Sequence, residues 1–491
     1  MSAEGDAEKV AVGKGPPLEV FETLPSVEEH FKISRITLFQ RFFRVFGPGV
    51  IALGVSIGGG EFLLGPSQML LHGMGILWIV GISTVLQVFF NYGWGKWTIA
   101  TGETPLVSFR RIGNWMLVLG LAVAWLGFGW PGWAATAATA AASFQLGRIP
   151  TASDNSTVLL WAYVFLIFSF VIVLVGKRIA RTLELWNWFD ILVILGFFFV
   201  ANLIFSSPQH WAEGIAGYFN FGYVPKDMDV RMLGAIVGYA GLASSLNFLA
   251  INYYRDKGYG AGALTGYIPV MIGGGRVSVS ATGKMMRLTP ENLQRFRRWR
   301  NLLAQEQILI FGLGGIVGFL LPGLLITALL PRGEVLTAWG VAAYLGNALA
   351  KSWGSVGLLW GLLIGVLVLV KTQIGFIDML VRNTAEVLWQ VSRVREWARD
   401  DIRRVYYPTL IALLVWVAIA LNLTAPFWLI VTSANMANFG ALATVPVLLY
   451  LNRKLPRELR MSWPLEIIQI VFMMFCMYFF FSVVVATLHI W

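Results

Sequence analysis

Eleven apolar stretches recur along the chain, at 46–71, 76–99, 114–144, 157–176, 187–206, 231–251, 306–331, 356–381, 406–423, 427–451 and 464–489, with charged segments between them. A helix needs about 20 such residues to cross roughly 30 Å of hydrocarbon. Lipid offers the backbone no hydrogen-bond partner, so a chain with these stretches must become a bundle of spanning helices. Composition agrees: 57% of the 491 residues are hydrophobic, only 13% are charged and the mean hydropathy is +0.69, against about 25% charged in an average soluble chain. Too little polar side chain is present to cover a water-facing surface, which excludes a soluble enzyme. The 34 Phe and 21 Trp exclude a disordered chain.

The distribution of cations orients the bundle, because Lys and Arg stay with cytoplasmic loops. With the N-terminus inside, 31 of the 37 Lys and Arg fall on cytoplasmic segments, counting Lys96 at the cytoplasmic end of the second span; Arg148, Lys226, Arg231, Arg332 and Lys351 fall outside, and Lys371 lies within the eighth span. The sequence therefore predicts a multi-pass protein of the cell (inner) membrane with a cytoplasmic N-terminus and an extracytoplasmic C-terminus. The net charge of +11 belongs next to anionic headgroups, so no nucleic-acid partner is expected. The first thirty residues lack an apolar core and read as a cytosolic tail. The helix start Thr289-Pro290-Glu291, followed by Arg295, Arg297, Arg298 and Arg300, is expected to lie along the inner membrane surface. One cysteine, Cys476, and four histidines, His30, His72, His210 and His489, leave no intramolecular disulfide and no zinc cage, and no cofactor is expected.

Two spans are interrupted at comparable depth. The first carries Gly58-Gly59-Gly60-Glu61, and the sixth carries Gly238-Tyr239-Ala240-Gly241-Leu242-Ala243-Ser244-Ser245. Three successive glycines cost about 1 kcal/mol each against alanine in a helix, so the backbone at 58–60 should unwind. Unwound backbone is tolerated in a membrane only where protein buries it or a cavity receives it. Small-residue stripes also serve as packing grooves, but Glu61 at mid-membrane needs a partner or water. Breaks in the first and sixth spans occupy matching places in two five-helix halves, a pattern that marks the binding site of secondary transporters.

The chain resembles the Nramp family of proton-coupled divalent metal transporters, within the amino acid–polyamine–cation superfamily of five-plus-five transporters. Carrying the resemblance are Gly47-Pro48-Gly49 opening the first span, Thr98-Ile99-Ala100-Thr101-Gly102 closing the second, and the count of eleven spans, over roughly residues 40 to 455. It implies an all-α membrane fold with a LeuT-like five-plus-five inverted repeat and discontinuous helices 1 and 6. The expected organisation is a tail at 1–40, a first repeat at 41–206, a second repeat at 231–451 with a cytosolic basic segment at 255–305, and an accessory helix at 464–491. The departures fall on the site. The family's Asp-Pro-Gly-Asn aligns with Gly58 to Glu61, so its Asp becomes Gly and its Asn becomes Glu. Its Met-Pro-His aligns with about Leu242-Ala243-Ser244. Residues 114–144 hold no acid to match the family's acidic third span.

Few ionisable groups remain inside the spans. Asp190 could pair with Arg178 or Arg181 near the interface. Asp378 stands four residues before Arg382, a pairing distance on a helix. Lys371 has no nearby interface to reach; it could pair with Glu61, stand where related transporters hold a sodium ion, or couple transport by losing its proton when desolvated. Asn435 and Asn438 of the tenth span, beside Ser433, serve either as glue between helices or as substrate contacts, and Ser244, Ser245, Asn247 and Gln373 invite the same pair of readings.

The expected site is therefore Gly58, Gly60, Glu61, Gly238, Gly241, Leu242, Ser244, Ser245, Asn435 and Asn438, with Lys371 and Asp378 as coupling residues and Glu61 as the metal ligand if a metal is carried. A hard cation, Mg²⁺ or Mn²⁺, suits oxygen donors of this kind. A small organic solute, an amino acid or amine, would fit the same gap. A channel would need a ring of charges and an enzyme a nucleophile with its base, neither of which the sequence supplies; a non-transporting sensor is the remaining class. A monomer suffices for this reading.

Overall fold

Eleven helices long and apolar enough to cross a membrane dominate the computed structural model, which describes residues 8–34, 37–174 and 178–488. They are span 1 (Pro48–His72), span 2 (Met74–Thr101), span 3 (Asn114–Leu146), span 4 (Ala152–Leu174), span 5 (Ile179–Phe205), span 6 (Val230–Lys257), span 7 (Pro290–Leu329), span 8 (Tyr344–Leu388), span 9 (Arg403–Ala420), span 10 (Pro426–Lys454) and span 11 (Trp463–Thr487). The most apolar windows of spans 1 and 6 are wholly buried, whereas only 28% of those of spans 4 and 11 is buried. The two glycine-interrupted helices thus form the centre, and the uniformly apolar ones face lipid. This is an all-α membrane protein with a five-plus-five inverted repeat, discontinuous in its first and sixth helices, and span 11 packs outside against spans 2, 6 and 10.

Three segments differ from the sequence expectation. The basic helix does not lie along the membrane surface: Pro290–Glu306 runs through a wide turn at Gln307–Gly312 into Leu313–Leu329 and is the first part of span 7. Its apolar side packs inward, with Trp299 and Leu303 buried. Span 5 begins at Ile179 rather than near 187, because Glu184 and Asn187 find buried partners that let the helix start earlier. Span 8 is not one rod. Gly354, at φ +58, reverses the chain, and Gly361 returns against Gly346, where an added Cβ would come within 2.5 Å of the Gly346 Cα. His489 lies outside the described residues, as do residues 1–7, 35–36, 175–177 and 490–491.

The N-terminal tail folds back onto the loops of one face. β1 (Lys9–Val10) pairs antiparallel with β2 (Leu18–Phe21), and β2 pairs parallel with β3 (Lys284–Met286) from the segment between spans 6 and 7. Arg111, fully buried, donates to the carbonyls of Val12 at 2.9 Å and Pro16 at 3.2 Å while its other nitrogens hold Glu103. Trp299 donates to the Pro25 carbonyl at 2.8 Å. These contacts gather the tail and the loops after spans 2 and 6 on one side, the tail face.

Gly47-Pro48-Gly49 has a structural cause here. The Glu306 carboxylate accepts from the amides of Gly47 at 2.7 Å and Gly49 at 2.8 Å, and from the Tyr259 hydroxyl at 2.9 Å. It satisfies orphan donors at the start of span 1, where a helix favours an anion. A Cβ on residue 49 would stand 2.7 Å from the Glu306 Cγ, so only glycine lets the carboxylate this close. Removing a buried acceptor costs about 1–3 kcal/mol for each donor left unpaired. Glu306→Ala is therefore expected to cost at least about 3 kcal/mol and to lower the melting temperature of the detergent-solubilised protein more than Glu306→Gln, which keeps one acceptor oxygen. Equal shifts for the two variants would show that the carboxylate does not hold this helix end.

Candidate functional site at the paired helix breaks

Span 1 is regular from Pro48 to Ser56, leaves the helical region at Ile57 (ψ 77°) and Gly58 (φ −157°, ψ −106°), makes a wide turn over Gly59–Leu64 and resumes at Gly65. The unwinding expected at 58–60 is present, and the glycines also provide room. A Cβ on residue 58 would sit 2.3 Å from the Thr372 hydroxyl of span 8, and one on residue 60 would sit 2.0 Å from the Tyr239 carbonyl of span 6. The break expected of the triglycine is present, but its residues are closely packed and wholly buried, as in a packing groove, rather than open to the cavity expected beside Glu61.

Span 6 breaks at the matching place. Its helix ends at Tyr239, Ala240–Ala243 is irregular with Gly241 at φ +89°, a short tight helix covers Ser244–Ile251, and regular helix resumes at Asn252. Only glycine adopts the conformation at 241 without strain. Gln87 of span 2 satisfies the exposed backbone. Its amide donates to the Ala240 carbonyl, and its oxygen accepts from Asn247 Nδ2 at 2.8 Å and from the Leu242 amide at 3.4 Å. Asn247 Oδ1 accepts from the Ala243 amide at 2.7 Å. Sequence reasoning missed Gln87, although an amide beside Ser83 and Thr84 in an otherwise apolar stretch was a usable signal for backbone in need of a partner.

Glu61, fully buried, accepts from the Ser56 hydroxyl at 2.9 Å through Oε1, and its Oε2 has no hydrogen bond. The Gly58 and Glu61 amides lie against the carboxylate without hydrogen-bond alignment to that oxygen. Lys371 of span 8 donates to the Gly54 carbonyl, just before the break. Two acids face its ammonium, Asp190 of span 5 and Glu61 of span 1, and neither lies within ion-pair distance of it among the described residues. Asp190 does not pair with Arg178 or Arg181. Arg181 pairs with Glu184, Arg178 lies over the Tyr267 ring, and both Asp190 oxygens are buried, with the Trp186 indole N–H of the preceding turn beside them but outside hydrogen-bond geometry. The helical turn through Leu183–Ile191 aims Asp190 inward, one turn past Asn187, whose side chain fills the space left by the missing Cβ of Gly54.

Asp378 stands apart from this group. Its carboxylate pairs with Arg382 at 3.0 Å and accepts from Tyr253 at 2.7 Å and Tyr406 at 2.6 Å. Arg382 also holds Asp256, and Arg255 joins Asp256 at 2.6 Å to Glu386 at 2.5 Å. This closed network ties spans 6, 8 and 9 together. Asn435 and Asn438 donate to the Arg231 carbonyl at 3.0 Å and the Gly234 carbonyl at 2.9 Å, fastening span 10 to the first half of span 6, and each has a buried, unpaired Oδ1. A Cβ on Gly238 would meet the Ala434 carbonyl at 2.0 Å. Ser245 donates to the Ala437 carbonyl at 2.6 Å, Ser244 contacts Cys476 at 3.1 Å, and Gln373 accepts from the Ala134 amide at 3.0 Å.

Aromatic rings that the sequence did not single out surround the breaks. Trp133 of span 3 stacks on Phe376 of span 8 with centroids 4.0 Å apart, and Tyr239 lies 5.6 Å from Trp133. The Trp133 Nε1 is buried without a partner and stands 3.1 Å from where a Gly59 Cβ would be. Tyr239 shares a hydrogen bond with Ser433, which donates to the Gly127 carbonyl. No group of three or more His, Cys, Asp or Glu converges on one point among the described residues. On the tail face, below the start of span 1, a cavity of about 430 Å³ is lined by Arg44, Ile51, Glu184, Tyr253 and Lys257 and roofed by His30 and Phe31 of the tail. Lys257 joins Glu184 at 2.8 Å to the Phe46 carbonyl at 3.1 Å. Burial pushes His30 below its ordinary value, and its ring donates to the Lys257 carbonyl at 2.9 Å.

No protein-family model and no curated protein matches the sequence. Solved structures do match in fold. A glutamate-to-alanine variant of the Eremococcus coleocola manganese transporter superposes with a TM-score of 0.62 at 14% identity, covering 94% of this chain and 88% of that one. The same transporter with an aromatic bis-isothiourea compound gives 0.60 at 14% identity, covering 89% and 85%. Mhp1, a nucleobase-cation-symport-1 family transporter with bromovinylhydantoin bound, gives 0.52 at 15% identity, covering 85% and 80%. At these identities the likeness establishes the fold.

A methyl group forced against backbone cannot be relieved by a side-chain rotation, and such overpacking costs about 1–3 kcal/mol or more. Gly60→Ala is expected to lower the melting temperature markedly, while Gly275→Ala, with nothing within 4 Å of the new carbon, leaves it unchanged. An unaffected Gly60→Ala protein would show that spans 1 and 6 do not meet at Tyr239.

Proposed function

We propose that the protein is a secondary active transporter working by alternating access, with its substrate site at the paired breaks of spans 1 and 6. The observation that carries this reading is the meeting of two broken helices at the buried centre of the bundle, Gly60 against the Tyr239 carbonyl. Half-helix ends at such breaks present unpaired backbone groups to a solute. The tail face is the cytoplasmic one on the positive-inside rule, and the repeats correspond to 41–206 and 231–451.

The geometry favours a small organic solute. Trp133 and Tyr239 stand against Gly59 and Phe376 stacks on Trp133, with the unpartnered Trp133 N–H and Glu61 Oε2 available as donor and acceptor. Separating the stacked rings would admit a planar or amine-bearing molecule. Lys371 near Glu61 weakens a dication site, as does the lack of any convergent group of three or more His, Cys, Asp or Glu among the described residues. A hard divalent cation, Mg²⁺ or Mn²⁺, is the second reading. It is favoured by the free Oε2 of Glu61 and by the resemblance to the Nramp family, whose fold is also that of the manganese transporter.

Lys371 is the coupling residue in this proposal, with Asp190 rather than Asp378 facing it. An ammonium donating to the carbonyl of Gly54, at the mouth of the break, ties span 8 to span 1 while its charge faces Asp190 of span 5. Loss of its proton to a neighbouring acid would release them. Asp378 keeps the scaffold together through Arg382, Tyr253 and Tyr406.

Calorimetry of the purified protein with Mg²⁺, Mn²⁺ and a panel of amino acids and amines, paired with proteoliposome uptake, tests the site. Binding of an organic solute that Glu61→Gln weakens at least tenfold is the expected result, whereas Mn²⁺ or Mg²⁺ binding lost in the same variant would favour the metal reading. Binding without uptake would make the protein a sensor. Lys371→Met should stay folded and abolish uptake. Full uptake by this variant would remove Lys371 from coupling.

A further inference from the structure

A cleft of about 810 Å³ opens on the tail face where the chain enters span 9. Its lining combines the cations Arg399 and Arg404 with the apolar Met271, Trp397, Pro408 and Ile411. Neither the Arg399 nor the Arg404 guanidinium makes a hydrogen bond or ion pair among the described residues. Of the other charges there, Arg403 holds Asp401 at 2.8 Å and the Gly274 carbonyl at 2.9 Å, and Arg276 adds a third cation by donating to the Arg399 carbonyl. Hydrogen bonds from Arg403 keep the Asp401 carboxyl below its usual range, so it stays paired with that arginine. The walls are fixed. The Met271 amide donates to the Tyr407 hydroxyl at 2.7 Å, and that hydroxyl donates to the Val173 carbonyl at 3.1 Å, joining the loop, span 9 and span 4.

The chemistry changes with depth. From Arg404 to Ile411 is seven residues of helix, about 10 Å along the axis, and over that distance the lining passes from free guanidinium to exposed hydrocarbon. Met271 is 50%, Trp397 65% and Ile411 54% exposed. The start of span 9 adds the positive end of its helix dipole at the rim. A ligand that matches needs a negative group above and an alkyl chain below. Phospholipids of the cytoplasmic leaflet have that form, and basic clusters at its surface attract the anionic ones.

We propose that this cleft is a binding site for one anionic phospholipid, its phosphate between Arg399 and Arg404 and an acyl chain along Trp397, Pro408 and Ile411. The site lies away from the paired helix breaks and stands whichever substrate the transporter carries. Native mass spectrometry of the full chain, released from micelles containing phosphatidylglycerol or phosphatidylcholine of equal chain length, tests it. The wild type is expected to retain one phosphatidylglycerol in preference to phosphatidylcholine. Arg399→Gln with Arg404→Gln should reduce that retention about thirtyfold, and Arg399→Lys with Arg404→Lys should preserve most of it. The pair Arg297→Gln and Arg457→Gln, exposed cations elsewhere on the same face, should leave it unchanged. Equal retention of the two lipids, or an equal loss in the Arg297/Arg457 pair, would reduce the effect to diffuse surface attraction and overturn the site. Displacement of the retained lipid by millimolar inorganic phosphate would mark an anion site without lipid and would overturn it as well.

Discussion

Every backbone group released by a helix break inside a membrane must find a partner within the protein, because lipid supplies none. The central architecture is a set of answers to that demand. At the break of span 6, Gln87 takes both roles at once, donating to Ala240 and accepting from Leu242 and Asn247. At the start of span 1, Glu306 accepts from Gly47 and Gly49. At the break of span 1, the side chains of Lys371 and Thr372 reach back to the carbonyls of Gly54 and Val55. Each partner comes from a helix other than the one whose backbone it satisfies. These contacts therefore couple neighbouring helices, and in the proposed transporter they are where a hinge would act.

The buried charges divide into two groups with different chemistry. Asp378, Arg382, Asp256, Arg255 and Glu386 form a closed network in which the acids are paired and further anchored by Tyr253, Tyr406, Thr104 and Asn252. Such a network resists movement, since parting any pair leaves an uncompensated charge. Lys371, Asp190 and Glu61 are arranged differently. One ammonium faces two acids at a distance, and three of the four acid oxygens have no hydrogen bond. In the proposed transporter it is this under-satisfied cluster beside the break of span 1, rather than the closed network, that would respond to protonation or to a ligand.

Particular residues show why some of the site was legible in the sequence and some was not. Gly58, Gly59 and Gly60 announce a break because successive glycines penalise a helix wherever they occur. Gly241 does so because its positive φ is a local property of the backbone. Asp190 was misread, since its sequence neighbours Arg178 and Arg181 suggested a local pair, while the direction of span 5 turns it toward span 8. Trp133 and Phe376 gave no signal, because aromatic residues are common in every lipid-facing helix and only their contact across spans 3 and 8 distinguishes them. The basic helix at 290–306 read as a surface helix from its charge, yet its buried Trp299 and Leu303 make it the foot of span 7.

Apolar length and the spacing of cations by themselves determined that the chain is a bundle of eleven spanning helices, and where glycine would interrupt two of them. These follow from the energetics of single residues against lipid, which need no knowledge of neighbours. Tertiary structure alone decided which groups meet at the interruptions: Gln87 with the opened turn of span 6, Asp190 with Lys371, Glu306 with Gly47 and Gly49. Such pairings depend on the rotation of each helix about its axis, and that rotation is fixed only when all the helices pack together.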